Sequence, residues 1–180
     1  MIELTGELVR LRTTVAEDRD ALVAIRQTPE VSARWRGDDV GAEFARDLVD
    51  DEEQQLTVED RHGRVIGLIQ FSEENEPDYR HATIDIYLEP RIHRRGFGVD
   101  AIRTLVRYLL VERGHHRLTI DPAVNNAGAI ASYERVGFRR VGVMRCYERA
   151  PDGSWRDALL LDLLADELVR SPERHAGQSR

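Results

Sequence analysis

The first third of the chain changes from alternating to helical spacing of its apolar residues. ELVRLRTT alternates apolar and polar positions, as a half-buried strand does. The Thr-Thr that ends it can cap a helix running through AEDRDALVAIRQ. In GAEFARDLVDDEE, Phe44 and Leu48 fall on one face of a further helix. We expect that helix to form a lid or wall rather than part of the sheet.

The middle of the chain predicts a hairpin, a third strand and a long helix. QQLTVED and RVIGLIQFS flank a turn sequence whose glycine is Gly63. HATIDIYLEP then alternates like a strand. Residues 98–113 carry apolar side chains at helical spacing, which predicts a helix leading away from that strand.

The last third repeats this alternation of element types. HRLTID predicts a strand and NAGAIASYERV a helix, while FRRVGVMRCYERA and SWRDALLLDLL predict a hairpin across the Pro-Asp-Gly turn at residues 151–153. The order is strand, helices, three strands, helix, strand, helix and two strands. Such an order predicts an α/β fold with one mixed sheet of about seven strands and helices on both faces.

Length and composition indicate one soluble globular domain. The 180 residues are 41% apolar and 33% charged. We expect one domain over residues 1–166 and a polar C-terminal tail over residues 167–180. No apolar run approaches the roughly 18 residues that cross a membrane. The start of the chain shows no export signal, and a lone Cys146 cannot form an internal disulfide, so a cytoplasmic location is expected.

Charge narrows the classes of partner. A formal net charge of -7 disfavours nucleic acid and favours cationic ligands. Acidic residues crowd DLVDDEE and EENEPD, whereas RIHRR is basic. Solvated surfaces explain such runs, and patches of opposite sign also suit an anionic ligand meeting a cationic one. We therefore expect a cationic ligand, with no nucleic acid and no membrane as partner.

Histidine spacing gives no sign of a metal site. The six histidines show no spacing typical of metal ligands, so no metal is expected. His115 and His116 adjoin on a predicted turn, and we expect both at the surface.

The stretch RIHRRGFGVDA suggests a phosphate site. It places Gly96 and Gly98 behind cationic side chains and ahead of a predicted helix. Free amides at a helix N-terminus bind phosphate, and glycine lets a ligand approach the backbone closely. A turn with two glycines also begins helices that bind nothing, so this stretch alone leaves both interpretations open.

A second motif supports the phosphate interpretation. NAGAIASYERVGF has Asn, Ala-Ile and Tyr-Glu at fixed offsets and ends in Gly-Phe. Together with HRRGFG it resembles the GCN5-related N-acetyltransferase (GNAT) superfamily, and the resemblance extends to about Leu164. The resemblance implies the GNAT fold, N-acetyltransferase activity and acetyl-coenzyme A (acetyl-CoA) as cosubstrate.

The resemblance also implies which residues hold the coenzyme. The backbone of residues 86–88 would run beside the pantetheine arm, and the amides of residues 94–99 would hold the pyrophosphate. At His93 the family usually has Gln or Arg, and at Arg94 it often has Gly. The implied coenzyme-binding residues are Ile86, Tyr87, Leu88, His93, Arg94, Arg95, Gly96, Phe97, Gly98, Val99 and Asn126.

Two residues of the second motif have alternative interpretations. Tyr133 matches the tyrosine that in many family members protonates the departing thiolate, although a tyrosine at helical spacing also serves as a core residue. Asn126 matches a residue that contacts the coenzyme, and it can also cap the following helix. For Asn126 the two interpretations are compatible.

A finer resemblance is to aminoglycoside 6'-N-acetyltransferases. TIDPAVNNAGAIASYERVGFRRVG is similar to their Thr-Asp-Pro segment and the helix after it, and ARWRGDD is similar to their tryptophan-glycine-acidic loop. Asp85 stands eight residues before His93, where those enzymes place a catalytic aspartate. The implied catalytic residues are Asp85 and Tyr133, and the implied substrate-binding residues are Trp35, Asp38, Asp85 and Asp121.

Carboxylates suit this chemistry. The acceptor amine must lose a proton before it attacks the thioester, and a fixed carboxylate can accept that proton. Further acids would hold a molecule with several ammonium groups. On pattern alone, Asp85 is equally an ordinary polar strand position, Asp121 a strand-end residue before Pro122, and Trp35 a plug against the core.

The leading hypothesis is direct acetyl transfer to a primary amine of a small polycation. The finer resemblance points to the 6'-amino group of an aminoglycoside and to antibiotic resistance. PDGSWRD is shared with ribosomal-protein N-terminal acetyltransferases, so protein acetylation stays open, as does a non-catalytic acyl-CoA-binding sensor. A peptide substrate predicts an open groove and a small polycation a closed acidic pocket. We expect a monomer or a homodimer.

Overall fold

The computed structural model describes residues 1–35, 39–47, 53–150 and 152–170. Its strands are β1 (Glu3–Thr5), β2 (Val9–Thr13), β3 (Glu53–Asp60), β4 (Val65–Glu74), β5 (His81–Leu88), β6 (Arg117–Ile120), β7 (Arg139–Arg149) and β8 (Trp155–Leu164). Its helices are α1 (Arg19–Arg26), α2 (Pro29–Ser32), α3 (Val40–Asp47), α4 (Phe97–Arg107), α5 (Ala127–Val136) and α6 (Ala165–Arg170). Short 3-10 turns cover Ala16–Asp18 and Pro90–Ile92, and a π-helical turn covers Tyr108–Glu112.

In the described part of the chain, eight strands form one sheet in the order β1-β2-β3-β4-β5-β6-β8-β7. Neighbouring strands are antiparallel except β5 and β6, which are parallel. The predicted mixed α/β sheet is therefore confirmed. The count exceeds the expected seven because the segment before Gly6 adds β1, which pairs with β2 from Glu3–Arg12 to Thr5–Arg10.

Helices cover both faces of the sheet, as predicted. α4 and α5 pack on one face through a large apolar core that includes Ile84, Ile102 and Ile130. α1, α2 and α3 pack on the other face through a smaller core in which Phe44 of the predicted lid helix is buried. Because side chains alternate along a strand, β5 sends Ile84 to the first face and Asp85 to the second.

Two local predictions were wrong. The Thr-Thr pair does not cap the first helix. Instead the carboxylate of Asp18 accepts the amide of Val15 at 3.0 Å and pairs with Arg12 at 2.6 Å. His115 is 1% exposed rather than at the surface, and its Nε2 lies 2.6 Å from Glu73 Oε1. Leu48, the other predicted lid residue, lies outside the described residues. None of the described helices has the length and apolar composition to cross a membrane.

A buried carboxylate fixes the start of α4 to the first two strands. Asp100 accepts the amides of Glu7, Leu8 and Val9 at 3.1, 2.7 and 3.1 Å. A Cβ at Gly6 would lie 2.5 Å from the Asp100 carboxylate, so the turn needs glycine for this close approach. Three charge-assisted hydrogen bonds thus hold the N-terminal end of α4 against the β1–β2 turn.

Replacing Asp100 with alanine should lower the free energy of unfolding by about 2 to 4 kcal/mol, because three backbone amides lose a charged acceptor. Urea unfolding followed by circular dichroism measures the change. The matched control is Asp78→Ala, at an exposed aspartate in the β4–β5 loop, which should leave the free energy of unfolding unchanged. Equal effects of the two substitutions would contradict the anchoring role.

Candidate active site

A cleft opens where β5 and β6 separate. Among the described residues the two strands pair at two positions, the second of which is Thr83–Thr119, with hydroxyl oxygens 2.9 Å apart. Beyond this point β6 follows β8, and the chain after it bridges Ala123 to Ala158. β5 instead remains paired with β4 as far as Leu88. A V-shaped gap therefore runs through the sheet.

The side of β5 that faces this gap presents peptide groups that β4 does not bond. The amide of Glu89 donates to the carbonyl of Ile66 at 2.8 Å, on the side of β4. Peptide groups alternate sides along a strand, so those of Ile84, Ile86 and Leu88 point toward the gap. Such an edge can hydrogen-bond an extended ligand as a neighbouring strand would.

The predicted phosphate loop leads into α4, as the sequence indicates. Gly96 immediately precedes the helix and has a φ of 89°, a left-handed conformation that glycine adopts without strain. Arg94 is also left-handed, with a φ of 61°, at the position where the family often has glycine. The first amides of α4 have no acceptor within the helix, and the helix dipole adds positive potential there.

The side chains of the loop leave its positive charge available. Arg91, Arg94 and Arg95 are exposed and make no ion pair with any residue in the described ranges. The ring Nε2 of His93 lies 3.2 Å from the carbonyl oxygen of Leu88. Free cations, free helix amides and an open strand edge in one cleft fit a ligand with a diphosphate and an extended arm, such as acetyl-CoA.

Four carboxylates meet on the acceptor side of the gap. Asp85 and Asp121 each follow the Thr83–Thr119 pair by two positions, one on each arm of the V. Glu53 at the start of β3 and Glu148 on β7 add charges strong enough to raise the pKa of Asp85. We call Asp85, Asp121, Glu53 and Glu148 the acidic cluster.

Asp85 is tuned for proton exchange near neutral pH. Burial among protein groups, followed by the charges of Asp121, Glu53 and Glu148, raises its pKa to about 7. The side chain of Asp85 is exposed at the surface of the cleft, and the protein groups that surround it limit its hydration. A carboxyl with such a pKa exists in both protonation states at pH 7 and can accept a proton from an amine.

Two tyrosines border the acidic cluster. The hydroxyl of Tyr147 donates to Asp121 Oδ2 at 3.2 Å. Tyr133, on α5, is 7% exposed, and burial followed by the charges of Asp85 and Asp121 raises the pKa of its hydroxyl. That hydroxyl makes no hydrogen bond with the described part of the chain, so it keeps its proton and is free to donate it.

Trp35 forms part of the cleft wall and packs on the sheet. Its ring meets the ring of Tyr87 edge-on, with centroids 4.8 Å apart, and the guanidinium of Arg26 lies 5.5 Å from the Trp35 ring. Tyr87 lies two positions from Asp85 on the same face of β5. Trp35 is half-buried against the core, as a plug would be, and its predicted contact with a substrate stays a prediction.

The loop before Trp35 crosses the cleft to the opposite wall. Arg156, on β8, donates to the carbonyls of Ala33 and Arg34 at 3.1 and 2.8 Å. The same guanidinium pairs with Glu148, with Nε 2.9 Å from Oε2. This bridge closes one side of the acceptor cleft.

Two further residues were predicted from the sequence, Asn126 and Asp38, and one residue of the site was not predicted. Asn126 is the N-cap of α5, and its Oδ1 accepts the amide of Ala129 at 3.4 Å. Asp38 lies outside the described residues. Sequence reasoning missed Glu148, although the predicted hairpin around residues 151–153 places it opposite Arg156. Pairing the two predicted strands residue by residue finds that ion pair, but it does not show which face of the sheet Glu148 occupies.

Comparison with known sequences identifies the family. The model of the acetyltransferase (GNAT) domain matches residues 9–139. The chain belongs to the GNAT family. It is accordingly an N-acetyltransferase, and GNAT acetyltransferases use acetyl-CoA.

Related GNAT sequences act on different amines. The spermidine N(1)-acetyltransferase of Vibrio cholerae is 28% identical over 130 residues, which cover 72% of this chain and 74% of that protein. The ribosomal protein bS18-alanine N-acetyltransferase of Escherichia coli is 34% identical over 82 residues, which cover 44% of this chain and 52% of that protein. The second match therefore spans about half the length of that relative. These relatives give no support to the finer resemblance to aminoglycoside enzymes.

Solved GNAT structures share the fold. Spermidine N-acetyltransferase from Vibrio cholerae in complex with CoA and spermine has a TM-score of 0.77 at 22% identity, covering 89% of this chain and 98% of that one. Mycobacterium smegmatis RimJ in complex with CoA-disulfide has a TM-score of 0.81 at 20% identity, covering 93% of this chain and 89% of that one. At 22% and 20% sequence identity, the similarity of these structures to this chain establishes the fold alone.

The pKa of Asp85 can be measured directly in the protein without ligands. Titration of its side-chain carboxyl by carbon NMR should give a midpoint near 7. The midpoint should fall in Asp121→Asn, because that substitution removes a neighbouring negative charge, and should not move in the exposed control Asp78→Asn. A midpoint near the ordinary value of about 4 in the unsubstituted protein would contradict this picture of the cleft.

Proposed function

We propose that this GNAT enzyme transfers acetyl from acetyl-CoA to a primary amine of a small polyammonium molecule. The observation that carries the proposal is the acidic cluster, which lies on the acceptor side of the gap in the sheet. Four carboxylates in one cleft are costly unless cations compensate them, and the ion pair of Glu148 with Arg156 supplies only part of that compensation. A molecule with several ammonium groups provides that compensation along its length.

The chain's residues supply two proton transfers in this scheme. Asp85 accepts the proton of the acceptor ammonium and so frees the amine to attack. Tyr133, whose proton is held by its raised pKa, donates to the departing thiolate. Asp85 lies on the face of α1–α3 and Tyr133 on the face of α4 and α5, so the gap in the sheet lets both reach one reaction centre.

The coenzyme half of the site rests on backbone groups. Acetyl-CoA supplies an activated thioester. The open edge at Ile86 and Leu88 would hold its extended arm, and the amides that begin α4 would hold its diphosphate. Arg91, Arg94 and Arg95 would add charge. These assignments agree with the sequence motif and depend little on the side chain of His93, which contacts Leu88.

The shape of the acceptor side favours a small molecule. The bridge from Arg156 to the carbonyls of Ala33 and Arg34 closes one side of the cleft, whereas a peptide needs an open groove. The spermidine acetyltransferase relative matches over a larger share of its length than the bS18 relative does, and its named substrate is a linear polyamine. A linear polyamine is therefore the first acceptor to test, with an aminoglycoside second.

Acetylation of a protein N-terminus is the second candidate. The bS18-alanine acetyltransferase match, at 34% identity, supports it, as does the PDGSWRD motif. In the structure Asp157 of this motif accepts the amide of Cys146 at 2.8 Å, a hydrogen bond within the β7–β8 hairpin that requires no particular substrate. The motif thus stabilises the hairpin and does not by itself indicate whether the acceptor is a protein or a small molecule.

An acceptor panel tests the proposal. Purified protein, acetyl-CoA and a thiol-detecting reagent are combined with spermidine, a kanamycin-type aminoglycoside, an N-terminal alanine peptide, and a diamine and monoamine of equal chain length. The diamine should give a kcat/KM at least about tenfold above the monoamine, because the second ammonium gains a carboxylate partner. Thiol release with the peptide alone would contradict the proposal.

Replacing Asp85 with asparagine should lower kcat by about 10²- to 10⁴-fold, because the proton acceptor is lost. Coenzyme affinity, measured by calorimetry, should be unchanged. In the unsubstituted enzyme kcat/KM should rise with pH through a midpoint near 7, since Asp85 accepts a proton only when ionised. If the rise of kcat/KM with pH persists in Asp85→Asn, the titrating group is a residue other than Asp85. Asp78→Asn serves as the exposed control.

A further inference from the structure

Arg156 joins three separate segments around the acceptor cleft. Its Nη1 donates to the carbonyl of Ala33 at 3.1 Å and its Nη2 to that of Arg34 at 2.8 Å. Its Nε donates to Glu148 Oε2 at 2.9 Å, and its Nη2 also contacts the other oxygen of that carboxylate. The side chain is 19% exposed, so these bonds form largely out of bulk water.

The loop held by Arg156 ends at a wall of the site. The amide of Trp35 bonds the carbonyl of Val31 at 2.8 Å, so Trp35 is continuous with the segment whose two preceding carbonyls Arg156 binds. The Trp35 ring packs on Tyr87, two positions from Asp85. The distance between the Trp35 wall and the β7 wall therefore depends on one guanidinium.

The same guanidinium controls charge in the cleft. Burial is the main cause of the raised pKa of both Asp85 and Asp121, and the charge of Glu148 adds to it in each case. Arg156 is the cation that pairs with Glu148 in the described part of the chain. Among the residues that the structure describes, the other titratable groups that interact with Asp85 are Asp121, Glu53, Tyr133 and Tyr147. None of these is a cation, so loss of Arg156 would leave the negative charge of Glu148 uncompensated beside them.

We propose that Arg156 is a positioning residue that holds the Ala33–Trp35 loop against Glu148 and thereby sets both the width and the charge of the acceptor cleft. This inference rests on the proposed function, because it assigns the cleft to an ammonium acceptor. A planar fork suits the task, since one guanidinium serves two carbonyls and a carboxylate at once. Lysine carries the same charge but lacks the fork.

The control of cleft width and the control of cleft charge predict different results for three variants. In Arg156→Met the KM for the polyamine should rise by about 10- to 100-fold, because the wall moves. The midpoint of kcat/KM against pH should rise by about 0.5 to 1 unit, because Glu148 is no longer paired. Arg156→Lys should restore the midpoint but only part of the KM. Glu148→Gln should move the midpoint in the opposite direction, to lower pH.

Fluorescence tests the loop without any turnover. The chain has two tryptophans, Trp35 and Trp155, so in a Trp155→Phe background the emission reports Trp35 alone. Acrylamide quenching of Trp35 should increase in Arg156→Met and remain unchanged in Arg140→Met. Arg140 is the matched control, because it lies on β7 in an exposed pair with Glu134.

The outcomes separate the two proposals. Increased quenching of Trp35 without acetyl transfer to any amine would overturn the proposed function. It would still support the positioning role of Arg156, which we call the clamp. Unchanged quenching and an unchanged pH midpoint in Arg156→Met would overturn the clamp, even if activity falls through lower stability. If Arg156→Met does not fold, Arg156→Lys and Glu148→Gln carry the same test, and unchanged midpoint and KM in both would overturn the clamp.

Discussion

The separation of β5 from β6 after Thr83–Thr119 is the constraint on which the site depends. Two strands that paired along their whole length would fill the centre of the sheet with their own hydrogen bonds. Here β6 follows β8 and β5 follows β4, so the strand edge that remains must find its partners elsewhere. The gap also opens the sheet between its two faces, so that the charge of Asp85 on one face helps to raise the pKa of Tyr133, which lies on the other.

The acidic cluster shows how binding specificity conflicts with stability. A carboxyl whose pKa rises to about 7 on folding binds its proton more tightly in the folded state, so its contribution to stability is lost as pH rises from its ordinary pKa of 3.8 toward 7. The unliganded enzyme therefore bears the repulsion among Asp85, Asp121, Glu53 and Glu148 above neutral pH. Arg156 offsets part of it, and a polycationic acceptor would offset the rest.

Local sequence patterns predicted the fold well because each pattern determines one element. Alternation in HATIDIYL predicted β5, and the glycines at positions 96 and 98 stand where α4 begins, ahead of the predicted helix. The Thr-Thr cap failed because Asp18 supplies a charged acceptor to the amide of Val15, while the hydroxyl of Thr14 is hydrogen-bonded to that of Thr57. The family was evident from two motifs, whereas the choice of acceptor was not, because it depends on residues far apart in sequence.

The acceptor wall shows why the rest could not be predicted. Glu148 reaches the cleft on a strand with an irregular register between Met144 and Glu148, where Cys146 has a φ of 49°. Simple alternation does not predict which face such a residue occupies. The contact of Arg156 with Ala33 joins residues 123 positions apart, and a contact at that separation cannot be predicted from local periodicity of the sequence.

The three hydrogen bonds from Asp100 have a consequence for how the protein opens. They join the coenzyme loop, through the first turn of α4, to the β1–β2 turn at Glu7–Val9. Segments joined by buried charge-assisted bonds tend to unfold as one cooperative unit. A ligand bound at Gly96 would then slow amide exchange in β1 and β2, at the edge of the sheet, so these two strands would report whether the coenzyme is bound.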